Sequence, residues 1–409
     1  MRKNKIVLIV LSLFLQIVLK AQVGGCTDVL ALNYNALANQ NDGSCNYAIA
    51  SIAPISSFNL DSNLNETSGL INWNNSIWTH NDNSDLNLYS IDTLNGSYLQ
   101  SCMLAGVLNS DWEEISQDIN FIYVGDFGNN QNGNRTNLKI LRIIKTSILA
   151  NAPIIDTINF SYSDQNNFTA TGGNNTDFDC EAFIVSTDSI YLFTKQWQSN
   201  KTSLYALCKL PGTYVANLKS TFDVQGLITG AVYLESKNLI ALCGYSNLLQ
   251  PFTYLLYDFN GSNYFGGNKR KIAIALPFHQ VEGICSTNGL KYYFSNEYFS
   301  QPPIVTNVQK LHVFDLSVYL LNYLTSEPTH EKINNYLIYP VPANDVLTIK
   351  TDKMHLPTNY FIINELGEIV LNGKLTSEHE TISITNLKSG SYILSIGIRK
   401  QETFRIIKK

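Results

Sequence analysis

The chain has 409 residues, of which 44% are hydrophobic and 15% are charged, and its formal net charge is -5. A chain of this length exceeds one ordinary domain, so we expect two or three folded units. The composition is typical of a globular protein whose surface polarity comes from Asn, Ser and Thr, which excludes extensive disorder. The most basic run is "NKRK" at residues 268–271, so the chain lacks the electrostatic footprint of a nucleic-acid-binding protein.

Residues 1–21 have the pattern of a secretory signal peptide, with a basic start, an apolar stretch over residues 6–19 and a small residue at Ala21. The apolar stretch ends at Lys20, short of the ~20 apolar residues that span a bilayer, and no other stretch reaches that length. We therefore expect an exported mature protein without a transmembrane segment.

Seven cysteines in an exported chain permit disulfides. Cys26 and Cys45 are close in sequence and bracket a polar loop, so they are the predicted pair. We interpret the other five as small apolar residues at buried strand positions. They are Cys102, Cys180, Cys208, Cys243 and Cys285.

Residues 22–47, "QVGGCTDVLALNYNALANQNDGSCNY", form a turn-rich segment that is too short for a core of its own. The segment resembles the cysteine-pair module "GCTD...NYN...DGSC.Y" of exported Bacteroidetes proteins. Asp28, Asn41 and Asp42 offer oxygen ligands for Ca²⁺, but their spacing differs from that of a helix-loop-helix calcium loop. A disulfide-closed spacer is therefore the favoured interpretation.

Between residues 48 and 326 the sequence repeats, with five units that start at Ser68, Glu113, Glu181, Thr229 and Glu282. About ten residues after four of these starts comes an aromatic-rich segment, which contains Trp78, Tyr123, Tyr191 or Tyr292. A third segment follows in every unit and a fourth in most, and their alternating apolar residues indicate β-strands. Three or four strands per unit, at a spacing of roughly 45–70 residues, predict the blades of a β-propeller.

The last unit lacks its fourth strand, and "SIAPISSFNL" at residues 51–60 has the right character to supply it. The first strand of the chain would then close the ring against the last unit. Five blades are visible in the sequence, and a sixth, degenerate blade is left open. We expect an all-β chain with a propeller of five or six blades over residues 48–326.

After a linker at residues 327–334, seven or so short strands separated by turns occupy residues 335–409, which predicts an immunoglobulin-like β-sandwich. Four segments here resemble the C-terminal sorting domain of the Bacteroidetes type IX secretion system. They are "YPVPA" with Pro340 and Pro342, "INELGEIV" with Gly367, "LKSGSYIL" with Gly390 and Tyr392, and the end "RIIKK". Val341 departs from the Asn that is usual in the first of them. The resemblance implies the type IX secretion machinery as a partner, and a protein that is secreted or displayed on the outer cell surface.

In a propeller the innermost strand begins at the central channel, and the second strand returns to the same face. The unit starts and the ends of the second strands therefore meet at one rim of the channel. The residues predicted to form this rim are His80, Asp82, Glu113, Asp126, Asn129, Asp179, Glu181, Lys195, Glu282 and Glu297.

Carboxylates crowded together raise one another's pKa values, so the rim needs a compensating partner. One interpretation is a bound Ca²⁺ ion, since oxygen ligands without a His or Cys set suit a hard cation. Its predicted ligands are Glu113, Asp126, Glu181 and Glu282. The other interpretation is a structural network in which each Glu accepts backbone N–H bonds from the neighbouring blade, with Lys195 or Arg135 supplying positive charge.

The segments "DWEEI...YVGDFGNN...R", "SGL...WTHND", "DCEAF...YLFTK" and "TGA" resemble exported propellers that are loosely related to phytase-like and esterase-like proteins. The resemblance implies a phosphoester or lactone substrate above a calcium-lined channel, although the chain is poor in the Lys and Arg that hold phosphate. Gly-x-Ser-x-Gly, phosphate-loop and His-Glu-x-x-His motifs are missing from the sequence. We therefore expect a monomeric binding or adhesion module for an extracellular ligand, with a Ca²⁺-dependent hydrolase as the alternative.

Overall fold

The computed structural model describes residues 22–325, 336–351, 356–364, 367–397 and 402–409. The predicted signal peptide at residues 1–21 and the predicted linker at residues 327–334 lie outside the described residues. In the part of the chain that is described, no helix is long and apolar enough to cross a lipid bilayer.

The N-terminal segment is closed by a disulfide between Cys26 and Cys45, whose Cα atoms are 4.7 Å apart, as the sequence predicts. Its short strands β1 (Gly24–Gly25) and β2 (Gln40–Asn41) pair in parallel. Of the five free cysteines, Cys208 is half-buried and the other four are buried, in agreement with their predicted strand positions.

The propeller starts with two N-terminal strands, β3 (Ser51–Ile52) and β4 (Ser56–Asn59), and a 3₁₀ turn at Ser62–Leu64. The first blade contains β5 (Thr67–Trp73), β6 (Ser76–Asn81), β7 (Asn87–Ile91) and β8 (Tyr98–Met103). The second contains β9 (Trp112–Gln117), β10 (Phe121–Asp126), β11 (Lys139–Ile144), helix α1 (Lys145–Leu149) and β12 (Ile155–Tyr162). The third contains β13 (Asp179–Val185), β14 (Ser189–Lys195), β15 (Thr202–Cys208) and β16 (Gly212–Phe222).

The fourth blade contains β17 (Leu227–Leu234), a 3₁₀ turn at Glu235–Lys237, β18 (Leu239–Tyr245), β19 (Pro251–Tyr257) and β20 (Asn268–Ile274). The fifth starts with β21 (Val281–Ser286) and β22 (Lys291–Asn296). A small hairpin follows, β23 (Phe299–Gln301) and β24 (Val305–Asn307), before β25 (Lys310–Asp315) and helix α2 (Ser317–Thr325). Successive strands of each blade pair antiparallel. The first strands of the five units contact one another around the ring, so they are the innermost strands.

The ring is closed by the N-terminal strand β4, which pairs antiparallel with β25 so that Asn59 lies opposite Lys310. The innermost strands β5, β9, β13, β17 and β21 each contact the next, and β21 contacts β5 again. This pairing confirms that the segment at residues 51–60 completes the last blade, and it does so through Ser56–Asn59. The described residues form five blades, and the predicted all-β propeller fold is confirmed.

Two strand pairings that join separate parts of the propeller were not predicted from the sequence. The outer strands β12 and β16 pair in parallel, with Ile158 opposite Gly212, and join the second and third blades into one eight-stranded sheet. Strand β3 pairs in parallel with β20, the outer strand of the fourth blade. Both pairings cover sheet edges that are otherwise exposed to pairing with another chain.

The N-terminal segment is held against the fourth blade by polar contacts. Asp28 accepts hydrogen bonds from Tyr47 Oη at 2.9 Å and from Tyr257 Oη at 2.5 Å. Tyr257 is the last residue of β19. Thr27 Oγ1 donates to Asp258 Oδ2 at 2.9 Å. The Asp28 carboxylate thus has protein partners, which fits the spacer interpretation better than a Ca²⁺ site.

Apolar clusters between neighbouring sheets hold the blades together. Trp78 and Trp112 are 1% and 0% exposed and belong to the cluster between the first and second blades. Between the second and third blades, Phe127 packs edge-on against Phe183 with ring centroids 5.5 Å apart. Aromatic rings bury large apolar areas, which explains the aromatic-rich second strand of each unit.

The C-terminal region forms a β-sandwich, as predicted. Its strands are β26 (Tyr336–Tyr339), β27 (Val346–Thr351), β28 (Thr358–Ile363), β29 (Ile369–Leu375), β30 (His379–Ser383), β31 (Gly390–Ile396) and β32 (Glu402–Lys408). One sheet has the order β26-β27-β30 and the other the order β29-β28-β31-β32. The fully buried Leu347, Ile362 and Leu394 belong to the core between the two sheets.

Candidate functional site

The five innermost strands share one irregularity near their first residues. In the second blade Gly125 pairs with Glu114 and Asp126 pairs with Trp112, so Glu113 is left out of the ladder. The same bulge leaves out one residue in each of the three later blades and two in the first. The displaced residues are Ser68 with Gly69, Glu113, Glu181, Thr229 and Glu282. A bulge re-aims its extra residue, and these are the five unit starts that the sequence repeat identified.

The two displaced hydroxyl residues bind neighbouring blades to each other. Ser68 Oγ donates to the carbonyl oxygen of Glu113, and Thr229 Oγ1 donates to the carbonyl oxygen of Val281 at 2.5 Å. Each bond joins one innermost strand to the next around the ring. Ser68 and Thr229 therefore lock the ring, whereas the three Glu residues at the same position carry carboxylates into the channel mouth.

Glu114 follows Glu113 on the innermost strand of the second blade and is fully buried. Its Oε2 accepts from the backbone N–H of Ala231 at 2.8 Å, and its Oε1 accepts from that of Ile115 at 2.9 Å. Ala231 belongs to the fourth blade, so the Glu114 side chain spans the channel. A Cβ atom at Gly69 would collide with Glu114 Oε1, which explains the glycine there. Burial raises the pKa of Glu114 well above its usual range.

Lys195 places a positive charge inside the mouth. Its Nζ lies 3.1 Å from Glu181 Oε1 and 4.8 Å from the centre of the Trp197 ring, a cation–π contact. Burial raises the pKa of Glu181 to about 7, although Lys195 opposes the shift. Burial by itself lowers the pKa of Lys195, but Glu181 and other nearby groups raise it well above its usual range overall. Glu181 is therefore already paired within the protein.

Glu282 also has a protein partner. Tyr245 Oη donates to Glu282 Oε1 at 3.3 Å, and the Glu282 side chain is buried. Burial raises the pKa of Glu282, and the nearby Lys195 acts in the opposite direction.

Hydrogen bonds and ion pairs hold three further predicted rim residues, which are Asp126, Asn129 and Asp179. Asp126 accepts from Arg135 Nη2 at 2.7 Å and pairs with Lys139 Nζ at 2.9 Å. Asp179 accepts from the Asn129 backbone N–H at 2.6 Å, and from the indole N–H of Trp197 at 2.7 Å. Both oxygens of Asp126 are thus held by protein cations, which disfavours its predicted role as a metal ligand.

His80 is a buried residue behind the mouth. Its Nδ1 lies 3.2 Å from the carbonyl oxygen of Asn81, and its ring packs edge-on against Trp112 at 6.0 Å. Burial lowers the pKa of His80 to about 4, so the imidazole is neutral at neutral pH. It therefore adds no positive charge to offset the carboxylates.

Three carboxylates from the first two blades converge at the mouth. Oxygen atoms of Asp82, Asp111 and Glu113 lie within 4.8 Å of one another. Glu113 is 3% exposed, and its Oε1 has no hydrogen-bond partner among the described residues. Asp82 and Asp111 are half-buried and give the group access to solvent. We call these three residues the acid trio.

Burial is the largest cause of the pKa shifts in the acid trio. Together with neighbouring carboxylates it raises the pKa of Asp82 to about 8 and that of Asp111 to about 6. The pKa of Glu113 lies well above its usual range for the same reason. Glu297 lies beside Asp82 and Glu282, and its pKa is raised by burial and by both of them.

The sequence pattern points to Asp82 and Glu113 but not to Asp111, nor to Glu66, a further acid that raises the pKa of Asp82. Asp111 and Glu66 each stand two residues before a unit start, the position that Asp179 occupies in the third blade. An acid two residues before a unit start is therefore the sequence signal that identifies further acids of the mouth. Of the predicted metal ligands, Glu113 belongs to the acid trio, whereas Asp126, Glu181 and Glu282 do not.

The fold and this mouth define a five-bladed propeller with an acidic channel, followed by a sandwich. Residues 337–409 match the family of the secretion system C-terminal sorting domain. The sandwich is therefore a type IX secretion sorting domain, and the protein is secreted or displayed on the outer cell surface. A comparison with curated proteins gives no match.

The motif residues of the sorting domain lie at its turns and strand starts. Pro340 and Pro342 stand between β26 and β27, and Gly390 is the first residue of β31. Gly367 has a φ of 84°, which favours glycine. Tyr392 Oη donates to the carbonyl oxygen of Lys388 at 2.8 Å and fixes the turn before β31.

Several solved structures resemble the chain at low similarity. PorZ, a surface component of the type-IX secretion system of Porphyromonas gingivalis, is 12% identical with a TM-score of 0.30; the match covers 84% of this chain and 45% of PorZ. The extracellular domain of BT4673, a putative one component system of B. thetaiotaomicron, is 11% identical (TM-score 0.30, covering 89% and 60%). The gluconolactonase XC5397 of Xanthomonas campestris is 9% identical (TM-score 0.34, covering 61% and 72%). This chain thus spans less than half the length of PorZ.

Proposed function

We propose that the protein is a surface-delivered or released binding module whose channel mouth captures a cationic group of an extracellular ligand. The observation that supports this most is the repeated bulge, which directs Glu113, Glu181 and Glu282 from three blades into one mouth. Asp82, Asp111 and Glu297 add further carboxylates, and Lys195 is paired with Glu181. Burial and crowding raise the pKa values of these carboxylates, and a positive ligand that pairs with their ionised forms relieves that crowding.

The burial of the mouth limits the size of the ligand group. Glu113, Glu181 and Glu282 are 3%, 3% and 7% exposed, and the buried Glu114 carboxylate bonds across to the Ala231 backbone of the fourth blade. A bulky substrate does not reach these groups, whereas an ion or a single ammonium or guanidinium group does so past the half-buried Asp82. The ligand therefore presents a small cation to the mouth and makes its other contacts on the surrounding face.

A binding measurement tests this proposal. We expect oligolysine to bind the full chain in EDTA, oligoglutamate of equal length not to bind, and added salt to weaken the binding. The double variant Asp82→Asn/Glu297→Gln should lose most of the affinity. A matched double variant, Asp156→Asn/Asp223→Asn, changes the net charge equally in the outer strand β12 and directly after the outer strand β16, and should bind as the wild type does. Equal losses in the two double variants would refute capture at the mouth.

A further inference from the structure

The acids of the mouth differ in whether the protein already neutralises them. Glu181 is paired with Lys195 at 3.1 Å, and Asp126 is paired with Arg135 and Lys139 at 2.7 and 2.9 Å. Glu282 accepts the hydroxyl of Tyr245. Among the other acids, the oxygens of the acid trio of Asp82, Asp111 and Glu113 lie close enough together to share one ligand.

Glu113 provides an independent sign of a missing ligand. Its side chain is 3% exposed, and Oε1 has no hydrogen-bond partner among the described residues. A buried polar oxygen without a partner is costly, and native proteins rarely leave one. This atom faces the trio, because a Cβ atom added at Gly128 would contact both Glu113 Oε1 and Asp111 Oδ2. Gly128 of "GDFGNN" therefore keeps open the space where these two oxygens meet.

The nearest protein cations are fixed elsewhere. Arg135 Nη1 lies 3.9 Å from Asp111 Oδ2, but it donates to the carbonyl oxygen of Gly128 at 2.6 Å. The other guanidinium nitrogen, Nη2, donates to Asp126 at 2.7 Å. The guanidinium is thus held at the edge of the trio, and Lys195 is held by Glu181.

We propose that Asp82, Asp111 and Glu113 bind one Ca²⁺ ion at the channel mouth. This inference rests on the proposed function in that it identifies the captured cation. Two oxygens that bind one Ca²⁺ at about 2.4 Å are at most about 4.8 Å apart, and the oxygens of the trio lie within 4.8 Å of one another. The donors are all carboxylate oxygens, which suit a hard cation and not zinc or copper.

The placement of the trio favours Ca²⁺ over Mg²⁺. Asp82 follows β6 of the first blade, whereas Asp111 and Glu113 stand at the start of the second, so the ion bridges two blades. Mg²⁺ demands a near-ideal octahedron, but Ca²⁺ accepts irregular sets of about six to eight oxygens with water among them. Because Asp82 and Asp111 are half-buried, water or an oxygen of an extracellular ligand completes the coordination.

The test is a calorimetric titration of the chelator-treated full chain with CaCl₂ and, separately, with MgCl₂. We expect one equivalent of Ca²⁺ to bind, more tightly than Mg²⁺, and Asp82→Asn and Asp111→Asn each to weaken the binding at least tenfold. Asp156→Asn is the matched control, since it removes the same charge from the second blade at a side chain that is 44% exposed. It should leave the affinity unchanged.

Gly128→Ala keeps all three carboxylates, so it tests the space between their oxygens and not their charge. This variant should also weaken Ca²⁺ binding. If that variant does not fold, the wild-type titration and the Asn variants still decide the matter. No Ca²⁺ binding up to about 10 mM, above the ~0.1–1 mM range of extracellular calcium modules, would overturn the site. Equal effects of Asp156→Asn and Asp111→Asn would also overturn it. If oligolysine still binds in EDTA, the calcium site alone has failed; if neither ligand binds, the proposed function has failed as well.

Discussion

Lys195 Nζ lies 3.1 Å from Glu181 Oε1, and both side chains are almost completely excluded from solvent. The two residues stand on adjacent strands of the third blade, Glu181 in the bulge of β13 and Lys195 at the end of β14. Removing one partner of a buried ion pair leaves the other charge uncompensated, whereas removing both does not. Single and double variants of this pair therefore separate the free-energy cost of an unpaired carboxylate from the net contribution of the ion pair to stability.

We expect Lys195→Met to destabilise the propeller by about 3–5 kcal/mol, the range for breaking a buried pair from one side. The double variant Lys195→Met/Glu181→Gln should recover much of that loss. Urea unfolding followed by Trp fluorescence measures both, since Trp73, Trp78, Trp112 and Trp197 all lie in the propeller. A double variant as unstable as the single one would show that the uncompensated carboxylate is not the cause.

Glu114 should be a structural residue, in contrast to the acid trio. Glu114→Ala removes acceptors for the N–H groups of Ala231 and Ile115 and leaves a cavity, so we expect a loss of about 3–5 kcal/mol. Glu114→Gln keeps the volume and one acceptor, and should cost only about 1–2 kcal/mol. Neither change should alter Ca²⁺ affinity more than severalfold in folded protein. Stability that is equal in both variants and in the wild type would contradict the bonding role of this side chain.

The ring closure should depend on pH through His312, a buried residue of β25. Its Nδ1 lies 2.7 Å from Ser57 Oγ of β4, and its Nε2 lies 2.7 Å from Asn296 Oδ1, so the neutral ring is fully bonded. Burial, reinforced by His279 and Lys310, lowers the pKa of His312 from 6.5 to about 3. Between these values the unfolded chain binds the extra proton, so this contribution to stability is present above pH 6.5 and is lost as the pH falls.

The carboxylates with raised pKa values act in the opposite direction, so the contribution of His312 must be measured as a difference between two proteins. We expect the wild type to lose more stability than His312→Gln when the pH is lowered from about 7.5 to about 4.5. Gln retains a donor and an acceptor but does not titrate. Urea unfolding by Trp fluorescence at both pH values provides the comparison, and parallel losses in the two proteins would refute the role of His312.

Removal of the sorting domain should block delivery. We expect a chain truncated after residue 334 to remain inside the cell, and a reporter fused to residues 335–409 behind a signal peptide to reach the outside in a host with type IX secretion. Immunoblots of the medium and the cell surface measure both. Appearance of the truncated chain outside the cell would contradict the sorting role.

The hydrolase alternative stays a separate prediction. If it holds, the full chain with Ca²⁺ should cleave a member of a phosphoester and lactone panel, and Glu113→Gln should abolish the turnover. Catalysis that persists in EDTA, or the absence of any turnover, would contradict the Ca²⁺-dependent hydrolase and favour the binding module.

The repeat can be recognised in the sequence because every blade has the same packing requirements. An aromatic second strand must fill the space between sheets, and a polar residue must start each innermost strand, so Trp78 and Tyr123 stand at equal offsets from Ser68 and Glu113. The incomplete last unit and the strand-like residues 51–60 then predicted the ring closure. These features depend on strand periodicity and burial, which a single sequence records directly.

The individual roles of the acids were less predictable, because they depend on distances between separate blades. The sequence indicates a position at the rim for Asp126, but not its pairing with Arg135 and Lys139, which engages both of its oxygens. It also gave no weight to Asp111, whose importance arises from its distance to Asp82 across a blade boundary. The parallel pairing of β12 with β16 was missed for the same reason.

Carboxylates from the first and second blades are proposed to meet around one cation at the mouth. Anomalous diffraction from crystals of the full chain soaked in Tb³⁺, which replaces Ca²⁺, tests it most directly. We expect one strong peak about 2.3–2.6 Å from carboxylate oxygens of Asp82, Asp111 and Glu113. A mouth without a peak, while Tb³⁺ occupies other positions on the protein, would contradict the account.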